Sequence, residues 1–213
     1  MTPVRLQSTG DVELEARWDV PDRPLAAVVF CHPHPQHRGT MTVPLMIGVT
    51  NVLVSRDLAV LRFNFRGVGT STGEWDNGVG EIDDVGAAVD AARERYPYLP
   101  IGIAGWSFGA ATSLKWQARA KAAFAWVGIA PPVQLDEVYR LPDPDTLLPA
   151  ARQIIIGDRD QFSSVADTKE YAAAIGASVH VFKGSDHFFY FREERVGDIV
   201  ADALCAACIR PER

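Results

Sequence analysis

The sequence predicts an α/β fold: a mostly parallel central sheet of about eight strands flanked by helices, with no large cap domain. Three observations predict it. Short apolar runs are nearly unbroken, as expected of strands covered on both faces of a parallel sheet. Segments with helical spacing separate these runs in regular alternation, and strand-then-helix repetition implies right-handed crossovers. Residues able to carry chemistry follow the runs directly, at the carboxyl edge where such sheets collect their ligand sites.

Taken in order, Val4 to Gln7 and Val12 to Trp18 alternate apolar with polar, which predicts a half-exposed hairpin turned at Ser8-Thr9-Gly10-Asp11. The buried strands follow at Leu25 to Cys31, Ala59 to Phe63, Ile101 to Gly105, Ala122 to Ile129 and Ile154 to Ile156, and a further strand is read at Val179 to Phe182. Helical spacing falls at 43 to 56, 79 to 95, 107 to 119, 164 to 175 and 189 to 208.

A chain of 213 residues, 47% of them hydrophobic, is enough for one sizeable core, so residues 1–213 are read as a single domain. The formal charge of -6 excludes a basic field for nucleic acid. No stretch is long and apolar enough for a membrane span, and the N-terminus lacks a signal-peptide pattern, so a soluble, cytoplasmic protein is expected. Three cysteines do not make a disulfide framework. Cys205 and Cys208 form a C-x-x-C at the end of the last helical segment, away from the helix N-terminus that activates a redox pair, and are read as packed helix residues.

Four loops carry the chemistry. Gly105-Trp106-Ser107-Phe108-Gly109 fits G-x-S-x-G between strand and helix, a sharp turn that exposes the serine hydroxyl. A serine hydroxyl is a weak nucleophile and needs a base, itself oriented by a carboxylate. Gly157-Asp158-Arg159-Asp160 and Asp186-His187-Phe188 supply these beyond two later strands, in the order Ser, Asp, His. Asp160 is favoured over Asp158, which directly follows the glycine and suits a turn role. His187, in a loop, is favoured over His180, inside a strand.

The fourth loop reads His32-Pro33-His34-Pro35-Gln36-His37-Arg38-Gly39. An oxyanion hole here takes one backbone N–H from Phe108, after the nucleophile, and one from this loop. Proline has no N–H, which leaves His34. The three histidines also raise a metal site, but interleaved prolines are expected to keep the segment extended and its rings apart, so no metal is predicted. Arg62 to Ser71 resembles a phosphate loop only superficially and is read as a turn around Arg66, with Asp84 among its candidate partners.

Together these motifs, with Gly78 to Asp84 and Phe189, resemble the small, lidless bacterial enzymes of the α/β-hydrolase superfamily, esterase-like or dienelactone-hydrolase-like. The resemblance covers nearly the whole chain and implies Ser107 as nucleophile, Asp160 as triad acid, His187 as base and no cofactor. Dienelactone hydrolases proper look to have cysteine where this chain has Ser107, which favours ester or thioester hydrolysis. Pro131 to Ala151 is too short for a large cap. An open, shallow site is therefore expected, rimmed by Trp106, Phe108, Phe162, Phe188 and Tyr190 and suited to a small-molecule ester with a short acyl group. The alternatives are a thioesterase, a small-amide hydrolase or a catalytically silent binding protein on the same scaffold. Monomer and homodimer are both open.

Overall fold

A computed structural model describes residues 2–133 and 138–208. Eight strands form one sheet: β1 (Thr2–Gln7), β2 (Glu13–Asp19), β3 (Ala26–Cys31), β4 (Leu58–Phe63), β5 (Ile101–Trp106), β6 (Ala125–Ile129), β7 (Arg152–Gly157) and β8 (Ser178–Phe182). Their spatial order is β1-β2-β4-β3-β5-β6-β7-β8. The predicted hairpin is the antiparallel pair β1–β2, and β2 joins β4 antiparallel, while every later pairing is parallel.

Strand alternation sorts the core into two layers. Ala27, Val29 and Cys31 of β3 face one side, where they pack with residues of α2 (Gly80–Arg95), α3 (Phe108–Ala120) and α4 (Val165–Ala174). Ala26, Val28 and Phe30 face the other, against α1 (Pro44–Ser55) and α5 (Glu193–Cys208). Every residue of β3 and β4 is buried, which accounts for the unbroken apolar character of their runs. Arg62 is the exception in chemistry: 1% exposed, it pairs with Asp19 at 2.6 Å and donates to the Met41 carbonyl.

Three features depart most from the sequence expectation. The run beginning at Ala122 becomes strand only at Ala125, because Lys121 closes α3 at a φ of 48° and Ala122 N–H returns to the Gln117 carbonyl. The last helix starts at Glu193 and not at 189, because Phe189 and Phe191 adopt φ values of 52° and 60° that no right-handed helix accommodates. The His-Pro loop is not fully extended. Pro35–His37 forms a 3-10 turn that Pro35 can open, having no N–H to satisfy, and His34 Nδ1 accepts the Gln36 N–H at its start.

The turn around Arg66 is built as read. Its guanidinium donates to Asp84 at 2.7 Å, and Asp84 also accepts the Arg66 backbone N–H. Asp84 is fully buried on α2, so this ion pair staples the loop after β4 to the helix layer. Cys205 and Cys208 are half-buried on α5 with free thiols, and burial pushes the Cys208 thiol up to about 11. No described helix is long and apolar enough to cross a membrane.

Candidate active site

The elbow between β5 and α3 places Ser107 at a φ of 52° and ψ of -117°, outside the comfortable regions for an L-residue. The strain is held on both sides. Ser107 N–H donates to Ile129 O at 2.8 Å, and its carbonyl accepts from Ala110 and Ala111 as α3 begins. A side chain on Gly109 would run into the carbonyls of Cys31 and His32, so the close approach of α3 to the end of β3 requires glycine there.

His187 meets this serine from the loop after β8. Its Nε2 lies 2.9 Å from Ser107 Oγ and its Nδ1 lies 2.8 Å from Asp160 Oδ2. Asp160 is buried to the tip of its side chain, and its other oxygen accepts the N–H groups of Phe162 and Ser163 at 2.8 and 3.1 Å. Asp158 instead faces solvent and accepts Gly184 N–H at 2.6 Å, tying the loop after β7 to the loop after β8. His180 stays within β8, its ring against Phe182. Of the four residues weighed from the sequence, Asp160 and His187 are the two brought to Ser107.

Backbone contacts hold His187 in place. His187 N–H donates to Gln161 Oε1, and its carbonyl accepts the Trp106 indole N–H at 3.2 Å. Phe162 sets its ring edge-on against the imidazole, 4.6 Å between centroids. Trp106 therefore does two things at once, lining the cleft while pinning the His187 loop.

Phe108 corrects the expected rim. Its side chain is fully buried, packed on Phe65, Trp75 and the His34 ring, because the first turn of α3 points it into the helix layer. Its backbone N–H, first in α3, has no intrahelical partner. His34 lines the cleft, 8% exposed. The rings of His34 and His37 approach to 4.6 Å, closer than extended backbone allows, yet no group of three or more His, Cys, Asp or Glu among the described residues is arranged to hold a metal.

The cleft above Ser107 has a volume of about 570 Å³, within the usual range for small-molecule pockets. Trp106, Phe162, Phe188 and Tyr190 line one side, and the ring planes of Phe188 and Tyr190 stack. The sequence reading missed Val43 and Leu45 at the start of α1, Tyr139 from the segment after β6, and Glu193 at the start of α5. Nothing local marks them, since each reaches the cleft only through the packing of distant elements. The Pro131 to Ala151 segment lies against the helices: Lys115 Nζ donates to Val138 O and Tyr171 Oη to Pro142 O. Residues 134–137 within it lie outside the described residues.

The model of the serine aminopeptidase S33 hydrolases matches residues 22–152, from the approach to β3 through the start of β7. This chain belongs to that family of α/β hydrolases. An uncharacterized protein of Rickettsia prowazekii (strain Madrid E) is 34% identical over 194 residues, 86% of this chain and 79% of the relative. An α/β serine hydrolase homologue from Coxiella burnetii is 29% identical with a TM-score of 0.81, covering 95% of this chain and 97% of its own. A lidless α/β serine hydrolase from Xanthomonas campestris superposes with a TM-score of 0.84 at 23% identity, over 99% and 96% of the two chains, and so shares the fold. The α/β hydrolase described here has the eight strands of that architecture and no large cap among its described residues.

Proposed function

We propose that the protein is a carboxylesterase-like serine hydrolase acting on small-molecule esters through Ser107, His187 and Asp160. The observation that carries this reading is the single line of contacts from Ser107 Oγ through both nitrogens of His187 to Asp160 Oδ2. Asp160 accepts a hydrogen bond from His187 Nδ1–H, which keeps that proton on Nδ1 and leaves Nε2 free to accept the proton of the Ser107 hydroxyl. Ser107 Oγ attacks the ester carbonyl as that proton moves to His187. The tetrahedral oxyanion is held by the backbone N–H groups of Phe108 and His34. His187 then protonates the leaving alcohol, and an acyl group remains on Ser107. Water then attacks the acyl carbon while giving a proton to His187; the second tetrahedral intermediate collapses by breaking the acyl–Oγ bond, and His187 returns the proton to Ser107 Oγ, releasing the carboxylic acid. No step needs a metal or cofactor.

The substrate reading rests on the cleft lining. Trp106, Phe162 and Phe188 offer apolar contact beside the nucleophile, which favours a compact apolar acyl group. Hydrolysis of p-nitrophenyl esters of increasing acyl length tests both parts. Ser107→Ala should lose on the order of 10⁴-fold or more in kcat, and a rate optimum should fall at short or compact acyl groups. Equal rates in wild type and variant would overturn the nucleophile assignment.

A further inference from the structure

The loop after β3 contains a second buried histidine. His32 is completely buried between β3 and the turn that follows β4. Its Nδ1 lies 2.6 Å from the carbonyl oxygen of Pro33, and its Nε2 lies 3.1 Å from the backbone N–H of Phe65. A carbonyl only accepts and a backbone N–H only donates, so these two contacts fix the tautomer: Nδ1 carries the proton and Nε2 is the acceptor. Burial holds the imidazole pKa down to about 4, so the ring is neutral wherever an esterase of this kind works.

The Pro33 carbonyl and the His34 N–H belong to one peptide unit. The bond is trans, so the two groups point in opposite directions across a rigid plane. Whatever grips the carbonyl also aims the N–H. The same carbonyl is pressed from outside by Gly39, where any side chain would collide with it. The His32 ring, edge-on to Phe65 at 4.8 Å, has no room to swing away.

We propose that His32 is a positioning residue, whose Nδ1–H holds the Pro33 carbonyl and so turns the His34 N–H toward the oxyanion. The inference rests on the serine hydrolase reading above, and in particular on His34 as an oxyanion donor. His32 touches no substrate. Its effect reaches the reaction only through the angle of one peptide plane, and hydrogen bonds to an oxyanion are steep in that angle.

Two near-isosteres separate its two bonds. In His32→Asn the side-chain amide sits near the place of Nδ1 and still donates to Pro33 O. In His32→Gln the amide oxygen sits near the place of Nε2, which preserves the Phe65 contact and gives up the grip on Pro33. With p-nitrophenyl acetate, His32→Gln should lose about 10²-fold in kcat at nearly constant KM, the signature of a contact made in the transition state. His32→Asn should recover most of that loss. A tetrahedral alkylboronic acid should weaken by a similar factor against His32→Gln, and melting temperatures report folding in parallel. Equal kcat in wild type and His32→Gln, or a His32→Asn variant no better than His32→Gln, would overturn the proposal. So would a rise in KM at constant kcat. Ser107→Ala, run beside them, keeps the two readings apart: if it remains active the hydrolase reading falls, whereas if it is inactive and His32→Gln is normal only the role of His32 falls.

Discussion

The mouth of the cleft and the layer behind its lining are built on different terms. In the layer behind the lining, the ends of β3, β4 and β5 bring His32, Phe65, Phe108 and Arg66 together with 0–8% exposure, and every polar group named there has a partner. At the mouth, Phe162, Phe188 and Tyr190 are 44, 38 and 61% exposed. Angular accuracy is demanded of the layer behind and apolar area of the mouth. A peptide plane or an imidazole is held to within a few degrees only where packing leaves no alternative rotamer. Apolar contact with a substrate tolerates rotamer freedom and is kept at the mouth.

The comparison predicts a descending series of effects. The largest falls at Asp160, which belongs with the constrained layer by burial although its loop lies at the outer edge. Asp160→Asn should lower kcat on the order of 10⁴-fold, by favouring the wrong His187 tautomer, while Asp158→Asn should change it less than about tenfold. Steady-state rates on a p-nitrophenyl ester distinguish the two, and equal losses would break the assignment of Asp160 to the base.

Next comes a pH effect on stability rather than rate. The folded state holds the His32 pKa down to about 4, against roughly 6.5 for an exposed imidazole, so the unfolded chain takes up that proton first as pH falls. The stabilisation is complete above about pH 6.5 and is lost between there and about pH 4. It amounts to roughly 3 kcal/mol, read as the difference between urea-unfolding curves of wild type and His32→Asn across that range. Parallel curves would mean that the layer behind the lining does not depend on a neutral ring.

The smallest effect belongs to the rim. Phe188→Ala should raise KM for esters with larger apolar acyl groups about fivefold, near 1 kcal/mol, with kcat unchanged. A fall in kcat of tenfold or more would show that Phe188 helps to place the adjacent His187, whose ring it meets at 5.6 Å, and would blur the distinction between the mouth and the layer behind it.

Much of this site is written locally, and that is why it was legible. Ser107 lies in a five-residue pattern whose first glycine, Gly105, is demanded by contacts with Gly109 and Ala110 in the same strand-turn-helix unit. His187 follows a strand and precedes an aromatic run. The turn habit of residues after glycine separates Asp158 from Asp160, and in the structure Asp158 accepts Gly184 N–H while Asp160 lies against His187. Phe108 went the other way: a residue beside the nucleophile was read as rim, and the direction of the first turn of α3 buries it.

The sequence by itself determined the alternation of strand and helix, the two-faced burial of the central strands and the order of the three polar residues, because each depends on periodicity or on neighbours in the chain. Only the tertiary structure decided which faces of the loops meet. His32 reads as one histidine among three until Phe65, 33 residues onward, is seen to donate to it. Tyr139, Leu45 and Glu193 enter the cleft by the docking of three separate elements. Contacts of this kind are set by where rigid elements pack against one another, and a position's own neighbours in the chain carry no record of that.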